Sequence, residues 1–300
     1  MGNLLINPRY ALHLWHQGLR AVPDFLRYAE GSIVGGHPTR DVAYVQFASL
    51  RGFLKRQYTL PWKDQLASWW AGFGWVSKSL REWRVLQELR AHGIGCPEPI
   101  ATGESVAGAF LLVRALPDAV DLPTFLAQRL DANSRQDLFR RVGQAVAHLH
   151  GAGFSHPDLY AKHLFLHTQD GSVAFIDFQR TRRHRSLPWY ARARDLAALD
   201  ASLSHVLVSS RERLVCLQAY LERTTKATSR VLLRQLANAI ALRSRHLLRR
   251  RKIRAMQQAT SLIATEPTQV IYRRMFLPDE VPPSASRIEG AILRQGGATP

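Results

Sequence analysis

Cysteine is scarce in this chain: Cys96 and Cys216 are the two among 300 residues, in unrelated contexts and without metal-ligand spacing. Neither a disulfide framework nor a zinc site has support, and a reducing cytoplasm is the expected compartment. No apolar run approaches the length of a membrane span. The opening stretch MGNLLINPRYALHLWHQGLR has no basic leader, is interrupted by Pro8 and Arg9, and carries Ile6 where a myristoylation signal needs Ser or Thr. It is expected to be neither a signal peptide nor an acyl anchor site. Acid is short as well, 23 Asp and Glu against 41 Lys and Arg, for a formal charge of +18. That excess favours an anionic partner: nucleic acid, an acidic membrane face or a phosphorylated ligand, which charge alone does not rank.

What is present is enough apolar sequence for a core. With 46% apolar and 21% charged residues, the chain should fold as one large domain or as two lobes sharing a cleft. Two β-rich runs between Asp41 and Tyr58, joined near Leu50-Arg51-Gly52, read as a hairpin, with Gly31 to Gly36 before it as a flexible turn. From Ser79, SLREWRVLQELRAHGIG sets Leu80, Trp83, Leu86 and Leu89 at helical spacing and stops at Gly93 and Gly95. Ala109 to Leu116 reads as a strand, and a short helix should begin near Leu122. SRQDLFRRVGQAVAHLHGAG reads as a helix with Ser134 as its N-cap. Then come a loop, a short hairpin closing near Asp170-Gly171, and helices to about residue 260. Strands early and helices late define an α+β chain. The expected parts are an N-terminal helical extension over 1–30, a β-rich N-lobe over 31–116, a larger helical C-lobe over 117–277 and a loose tail over 278–300.

The chemistry concentrates in GFSHPDLYAKHLFLHTQDGSVAFIDFQR, residues 153–180. Asp158 follows a His-Pro pair and Asp177 ends an apolar strand. A carboxylate at the end of such a strand is costly to desolvate, so it either caps a structure or binds something positive. Asp158 alone could cap the turn at Leu159, and Asp177 alone could pair with Arg180. Phosphoryl transfer, however, needs phosphates and metal held in place and an acceptor hydroxyl oriented in line. Kinase-like folds meet that need with an Asp near the hydroxyl, a metal ligand five residues later and a second Asp after a short hairpin, the layout of Asp158, His163 and Asp177. Upstream, Lys55 in GFLKRQY can reach triphosphate oxygens, and Glu82 near the start of the following helix can hold it.

The motifs FLK, REWRVLQELRAHGI, LHGAGFSHPDLYAKHLFL, IDFQR and RARDL, between about Asp41 and Leu203, resemble the Kdo/WaaP-type lipopolysaccharide kinases, a bacterial branch of the protein-kinase-like fold. The resemblance implies a bilobal protein-kinase-like architecture, ATP and Mg²⁺ as cofactors, and an acidic glycolipid acceptor, the lipopolysaccharide core. It implies Asp158 as catalytic base or hydroxyl-orienting group, Asp177 and His163 as metal-binding positions, Lys55 and Glu82 as the ATP-positioning pair, and Asp195 as the helix carboxylate that braces the catalytic loop. His156 would pack beneath that loop. Three features depart from common kinases: Pro157 stands between His156 and Asp158, no Gly follows Asp177, and Gly31, Gly35 and Gly36 do not spell a standard phosphate loop. Imidazole is also a softer ligand than Mg²⁺ usually takes, which leaves Mn²⁺ open.

Beyond Asp177, Arg180, Arg182, Arg183 and Arg185 lie where such an enzyme presents its acceptor, and arginine forks suit phosphate and carboxylate oxygens. A second basic run, Arg243 to Arg254, falls on a predicted helix and is either a solvated face or an attraction to anionic lipid. Five of seven tryptophans fall between Trp62 and Trp83, interleaved with Lys63 and Lys78. That segment is either a bilayer-interface element or an insertion packed on the small lobe. The leading expectation is an ATP-dependent kinase of an inner-core sugar hydroxyl, cytoplasmic and peripheral on the anionic face of the inner membrane. A small-molecule kinase of the aminoglycoside or choline type would want an acidic acceptor pocket, which the arginines oppose. A non-catalytic pseudokinase scaffold on membrane or RNA would draw on the charge; nucleic acid ranks low as a partner of the leading reading.

Overall fold

A computed structural model describes residues 3–47, 50–128, 131–225 and 229–265, with side chains to Met256. The expected loose tail over 278–300 lies outside the described residues. The chain divides into two compact units, Met1–Leu248 and Arg249–Pro300. The first contains β1 (Asn3–Ile6), α1 (Ala11–His16), α2 (Val22–Arg27), β2 (Ser32–His37), β3 (Arg40–Phe47), β4 (Leu50–Gln57), α3 (Trp62–Trp70), α4 (Lys78–Ala91), β5 (Pro99–Ser105) and β6 (Gly108–Arg114) in its first half. Its second half is β7 (Ala119–Asp121), α5 (Leu122–Leu126), α6 (Ala132–Gly151), β8 (Phe154–Ser155), β9 (Leu164–His167), β10 (Val173–Phe175), β11 (Arg182–Arg183), α7 (Trp189–Asp200), α8 (Ser210–Thr224) and the start of α9 (Arg230–Thr265). The part of α9 from Arg249 belongs to the second unit, where Arg249, Arg250, Lys252 and Arg254 are exposed.

The β-rich half is an antiparallel sheet of order β1-β5-β6-β4-β3-β2. β6 is buried on both faces except at Arg114, and that is why its sequence reads as an unbroken apolar run rather than an alternation. Leu111 and Val113 face the cluster that includes Leu86 and Leu89 of α4. Phe110 and Leu112 face a separate cluster built from Leu14, Leu19, Val22 and Phe25, where Phe25 stacks on Phe110 at 4.0 Å. Residues 1–30 are therefore only partly the helical extension that the sequence suggested. α1 and α2 form the second layer of the sheet, and β1 pairs with β5 from Asn3↔Glu104 to Ile6↔Ala101. The physical reason is the two-sided β6, whose outer face needs a cover.

The Gly31–Gly36 segment, expected as a flexible turn, is the edge strand β2, paired with β3 from Ser32↔Tyr44 to His37↔Arg40 with a bulge between Ile33 and Gly35. A Cβ at Gly31 would lie 2.8 Å from the Tyr44 carbonyl oxygen, so glycine there allows close pairing rather than looseness. The β3–β4 hairpin matches the sequence reading, with its connection between Phe47 and Leu50, slightly before the expected point.

The helical half packs α6 against α8, and the contact is close enough that a Cβ at Gly143 would run into the Cys216 carbonyl. α6 begins one turn earlier than expected. Asp131, not Ser134, is the N-cap, accepting from the Asn133 and Ser134 N–H groups at 2.9 and 3.0 Å. Both cysteines are free and buried, and burial pushes both thiols up to about 12. Among the described residues no helix is long and apolar enough to cross a membrane.

Candidate active site

Strand alternation decides where Lys55 points. Along β4, Leu54 and Arg56 turn to one face and Phe53 and Lys55 to the other. On the second face α4 supplies Glu82, and Lys55 Nζ meets Glu82 Oε1 at 2.7 Å. Helix α4 is fixed at its start by Ser77, whose hydroxyl caps the Leu80 N–H. Burial pulls the Lys55 ammonium down, but the carboxylates of Glu82 and Asp177 more than offset this and hold its pKa above the ordinary value. Glu82 Oε1 also lies 3.4 Å from the Phe178 N–H, so one carboxylate links the small-lobe lysine to the residue after Asp177.

Asp177 has φ +64°, in the left-handed region that non-glycine residues seldom adopt. The conformation is held from both sides. The Ile176 N–H donates to the His163 carbonyl at 3.0 Å, and Phe178 is fully buried against the His156 ring. His163 Nδ1 lies 2.8 Å from the Asp158 carbonyl oxygen. A carbonyl can only accept, so Nδ1 carries a proton, and Nε2 turns toward Asp177, 3.8 Å from its Oδ2. An imidazole fixed this way, beside an acid in a rare backbone conformation, is a donor pair that suits a divalent cation.

Asp158 pairs with Arg180 at 2.9 Å, the carboxylate 14% and the guanidinium 68% exposed. The alternative pairing of Arg180 with Asp177 is not what forms. Beneath the loop, Asp195 Oδ2 accepts the His156 N–H at 2.6 Å while Arg194 holds Oδ1. Burial works against ionising Asp195, yet His150 and Arg194 keep its carboxyl below the usual range. His150 is itself fully buried with its pKa lowered, first by that burial. Its Nδ1 is 2.9 Å from the Tyr220 hydroxyl, which Arg192 contacts at 3.1 Å. His156 Nε2 donates to the Ile176 carbonyl at 3.1 Å, and burial lowers its pKa as well.

Two adjoining cavities meet here. One, of about 790 Å³, is bordered by Gly35, Gly36, Lys55, Glu82 and Asp177. The other, of about 640 Å³, shares Val42, Lys55, Glu82 and Asp177 and adds apolar walls from Phe53, Val113, Leu116 and Ile176. A charged chamber continuous with an apolar one can take a ligand with one anionic and one apolar end. A Cβ at Gly35 would meet nothing within 4 Å, whereas one at Gly36 would touch Asp41 and the Arg40 carbonyl, so the open space beside this edge of the cavity lies at Gly35. The structure thus brings Lys55, Glu82, Asp177 and His163 to one cleft; Asp158 is joined to it through its main-chain carbonyl on His163, while its carboxylate does not border either cavity and pairs with Arg180.

The arginines divide. Arg180 reaches Asp158, Arg183 turns to Glu88 of α4 at 3.3 Å, and Arg182 and Arg185 are exposed. Sequence reasoning missed Lys162, which borders both cavities; its place between Asp158 and His163 was the available signal. It also missed Gln179, which borders both and sits two residues after Asp177.

A β-rich lobe and a helical lobe enclosing a lysine-glutamate pair and two aspartates have the architecture of a kinase-like phosphotransferase. Residues 62–220 match the model of the lipopolysaccharide kinase (Kdo/WaaP) family, and the chain belongs to that family. Among curated proteins it is 28% identical over 180 residues to lipopolysaccharide core heptose(I) kinase WaaP of Pseudomonas aeruginosa, covering 51% of this chain and 67% of that one. It is 30% identical over 135 residues to the 3-deoxy-D-manno-octulosonic acid kinase of Xylella fastidiosa, covering 45% and 53%; the chain thus spans about half of that relative. A solved structure titled "WaaP in complex with acyl carrier protein" superposes with TM-score 0.63 at 22% identity, over 81% of this chain and 97% of that one. That likeness concerns the fold. Lys55 lies before the matched family segment, so its part in the site rests on geometry.

Proposed function

We propose that this chain is an ATP-dependent kinase that phosphorylates a sugar hydroxyl of the lipopolysaccharide inner core, working at the cytoplasmic face of the inner membrane. The observation that carries the reading is the convergence of Lys55, Glu82 and Asp177 on one cavity; His163, beside Asp177, hydrogen-bonds the main-chain carbonyl of Asp158. Family membership supports the reaction class. The relatives named for heptose and for 3-deoxy-D-manno-octulosonic acid support a core sugar as acceptor.

In this reading Lys55 binds triphosphate oxygens, and Glu82 fixes its ammonium from below. The apolar chamber between Val42 and Ile176 takes the nucleobase. Asp158 orients the acceptor hydroxyl and receives its proton as the bond from that oxygen to the γ-phosphorus forms and the bond from the γ-phosphorus to the bridging oxygen breaks, releasing ADP. Asp177 and His163 would hold Mg²⁺ or Mn²⁺, which would neutralise charge on the phosphates. Arg180, Arg182 and Arg185 would receive the acidic groups of the core.

The test is transfer of label from ATP to a panel of core glycolipids. Asp158→Ala and Asp177→Ala should each abolish transfer while the circular dichroism spectrum is retained; labelled product from either variant would remove the mechanism. An acyl carrier protein, the partner in the solved relative, is a further association to check by mass spectrometry of the purified chain.

A further inference from the structure

Helix α3 is built the wrong way round for a surface helix. At ~100° per residue, Trp62, Leu66, Trp69 and Trp70 share one stripe, and Trp62, Trp69 and Trp70 are 60%, 57% and 77% exposed. The protein-facing side is the polar one. Ser68 is fully buried with its hydroxyl on the Asp64 carbonyl, and the Asp64 carboxylate holds Lys78 at 2.8 Å. Trp75, in the turn that follows, is 55% exposed. The segment is nonetheless fixed in place: Phe73 and Val76 belong to the core, and Arg84 donates to the Phe73 carbonyl at 2.5 Å. Of the tryptophans between 62 and 83, Trp83 alone is a core residue. A rigid element therefore presents four indoles outward, an arrangement that nothing in the cleft chemistry uses.

We propose that α3 and the Trp75 turn form a docking surface for an anionic lipid bilayer, with the indoles at headgroup depth. Indole is suited to that layer because its ring is apolar and its N–H finds a wet partner. Charge points the same way. Lys63 is exposed at the edge of the stripe with its ammonium 6.0 Å from the Trp62 ring, and the chain carries +18, which attracts it to an acidic headgroup surface. The position gives docking a consequence. Pro61 and Asp64 of this segment border the cavity that holds Lys55, Glu82 and Asp177, so seating α3 on lipid sets the mouth of the cleft beside the bilayer. That consequence, delivery of a lipid-linked acceptor, rests on the kinase reading; the docking itself does not.

The experiment is flotation of the full chain with vesicles of phosphatidylglycerol and phosphatidylcholine, read together with quenching of tryptophan emission by brominated lipid. The wild type should float and be quenched. The exposed double variant Trp69→Gln/Trp70→Gln should bind about tenfold or more weakly with an unchanged ATP-induced thermal shift. It should also lose phosphorylation of glycolipid in vesicles while keeping that of the delipidated core oligosaccharide. Flotation without quenching, surviving the double variant and abolished by salt, would place binding on the arginines and overturn the proposal. So would a concentration-dependent dimer that the double variant dissociates, since a second copy would then cover the indoles. If the wild type floats with quenching yet transfers no phosphate to either acceptor, the docking surface stands and the kinase reading falls.

Discussion

The two walls of the cleft hold their charges differently. On the small-lobe wall Lys55 and Glu82 meet at 2.7 Å with side chains 21% and 3% exposed. In the large lobe, outside the residues that line the two cavities, Arg180 and Asp158 meet at 2.9 Å, with the arginine 68% and the aspartate 14% exposed. Removing one partner of a buried pair strands a charge and costs several kcal/mol, whereas an exposed pair is worth about 1 kcal/mol or less. The first pair is thus committed, and it also ties α4 to Phe178. The second is open on its arginine side, where Arg180 reaches solvent; under the proposed function an anionic acceptor would compete with Asp158 for it. The difference teaches that the Lys55–Glu82 pair is locked into the protein while Arg180 can trade partners; in the proposed function the first serves the nucleotide and the second the acceptor.

The largest effect that would test this contrast is on turnover. Asp158→Asn keeps a partner for Arg180 but removes the base, and should lower kcat about a hundred- to ten-thousandfold, measured by label transfer. Nearly full turnover would strip the large-lobe wall of its assigned chemistry. Next in size is stability. Lys55→Ala should destabilise the fold by about 3–5 kcal/mol in urea unfolding because Glu82 is left buried without its cation, and should abolish the ATP-induced thermal shift. Arg180→Gln, in contrast, should shift stability by less than about 1 kcal/mol and raise the acceptor KM while leaving the ATP KM unchanged. Equal rises in both would erase the distinction between the walls.

The smallest effect is in the support beneath the loop. His150 has a folded pKa below its ordinary 6.5. The unfolded chain therefore binds more protons there, and the contribution of His150 to stability is complete above pH 6.5 and is lost as pH falls toward the folded value. Thermal midpoints measured between about pH 7 and pH 5 should decline, and His150→Gln should flatten the decline. A variant as pH-sensitive as the wild type would assign the loss to other groups, such as His156.

Much of the site was legible because its signals are local. The Asp158–His163 spacing and the short hairpin before Asp177 lie in one continuous stretch, and the apolar spacing of α4 announced the helix that carries Glu82. The cap of α6 was misassigned by a few residues because Ser134 and Asp131 are both good caps; Ser134 is in fact engaged by Asp131, its hydroxyl donating at 2.5 Å. The edge strand β2 was missed because its glycines imitate a turn, while its order comes from pairing with β3 on a neighbouring strand.

Sequence alone determined the β3–β4 hairpin, β6, the helices α4 and α6 and the identity of the charged groups, because periodicity, turn residues and motif spacing are properties of a few neighbouring positions. Tertiary structure decided which charges meet: that Arg180 takes Asp158 rather than Asp177, and that Glu82 reaches both Lys55 and Phe178. It also decided that residues before Ser32 cover the sheet, and that the tryptophans of α3 face outward while Ser68 faces in. Each of these depends on which face of an element finds a partner from a distant part of the chain, and no local pattern encodes that partner.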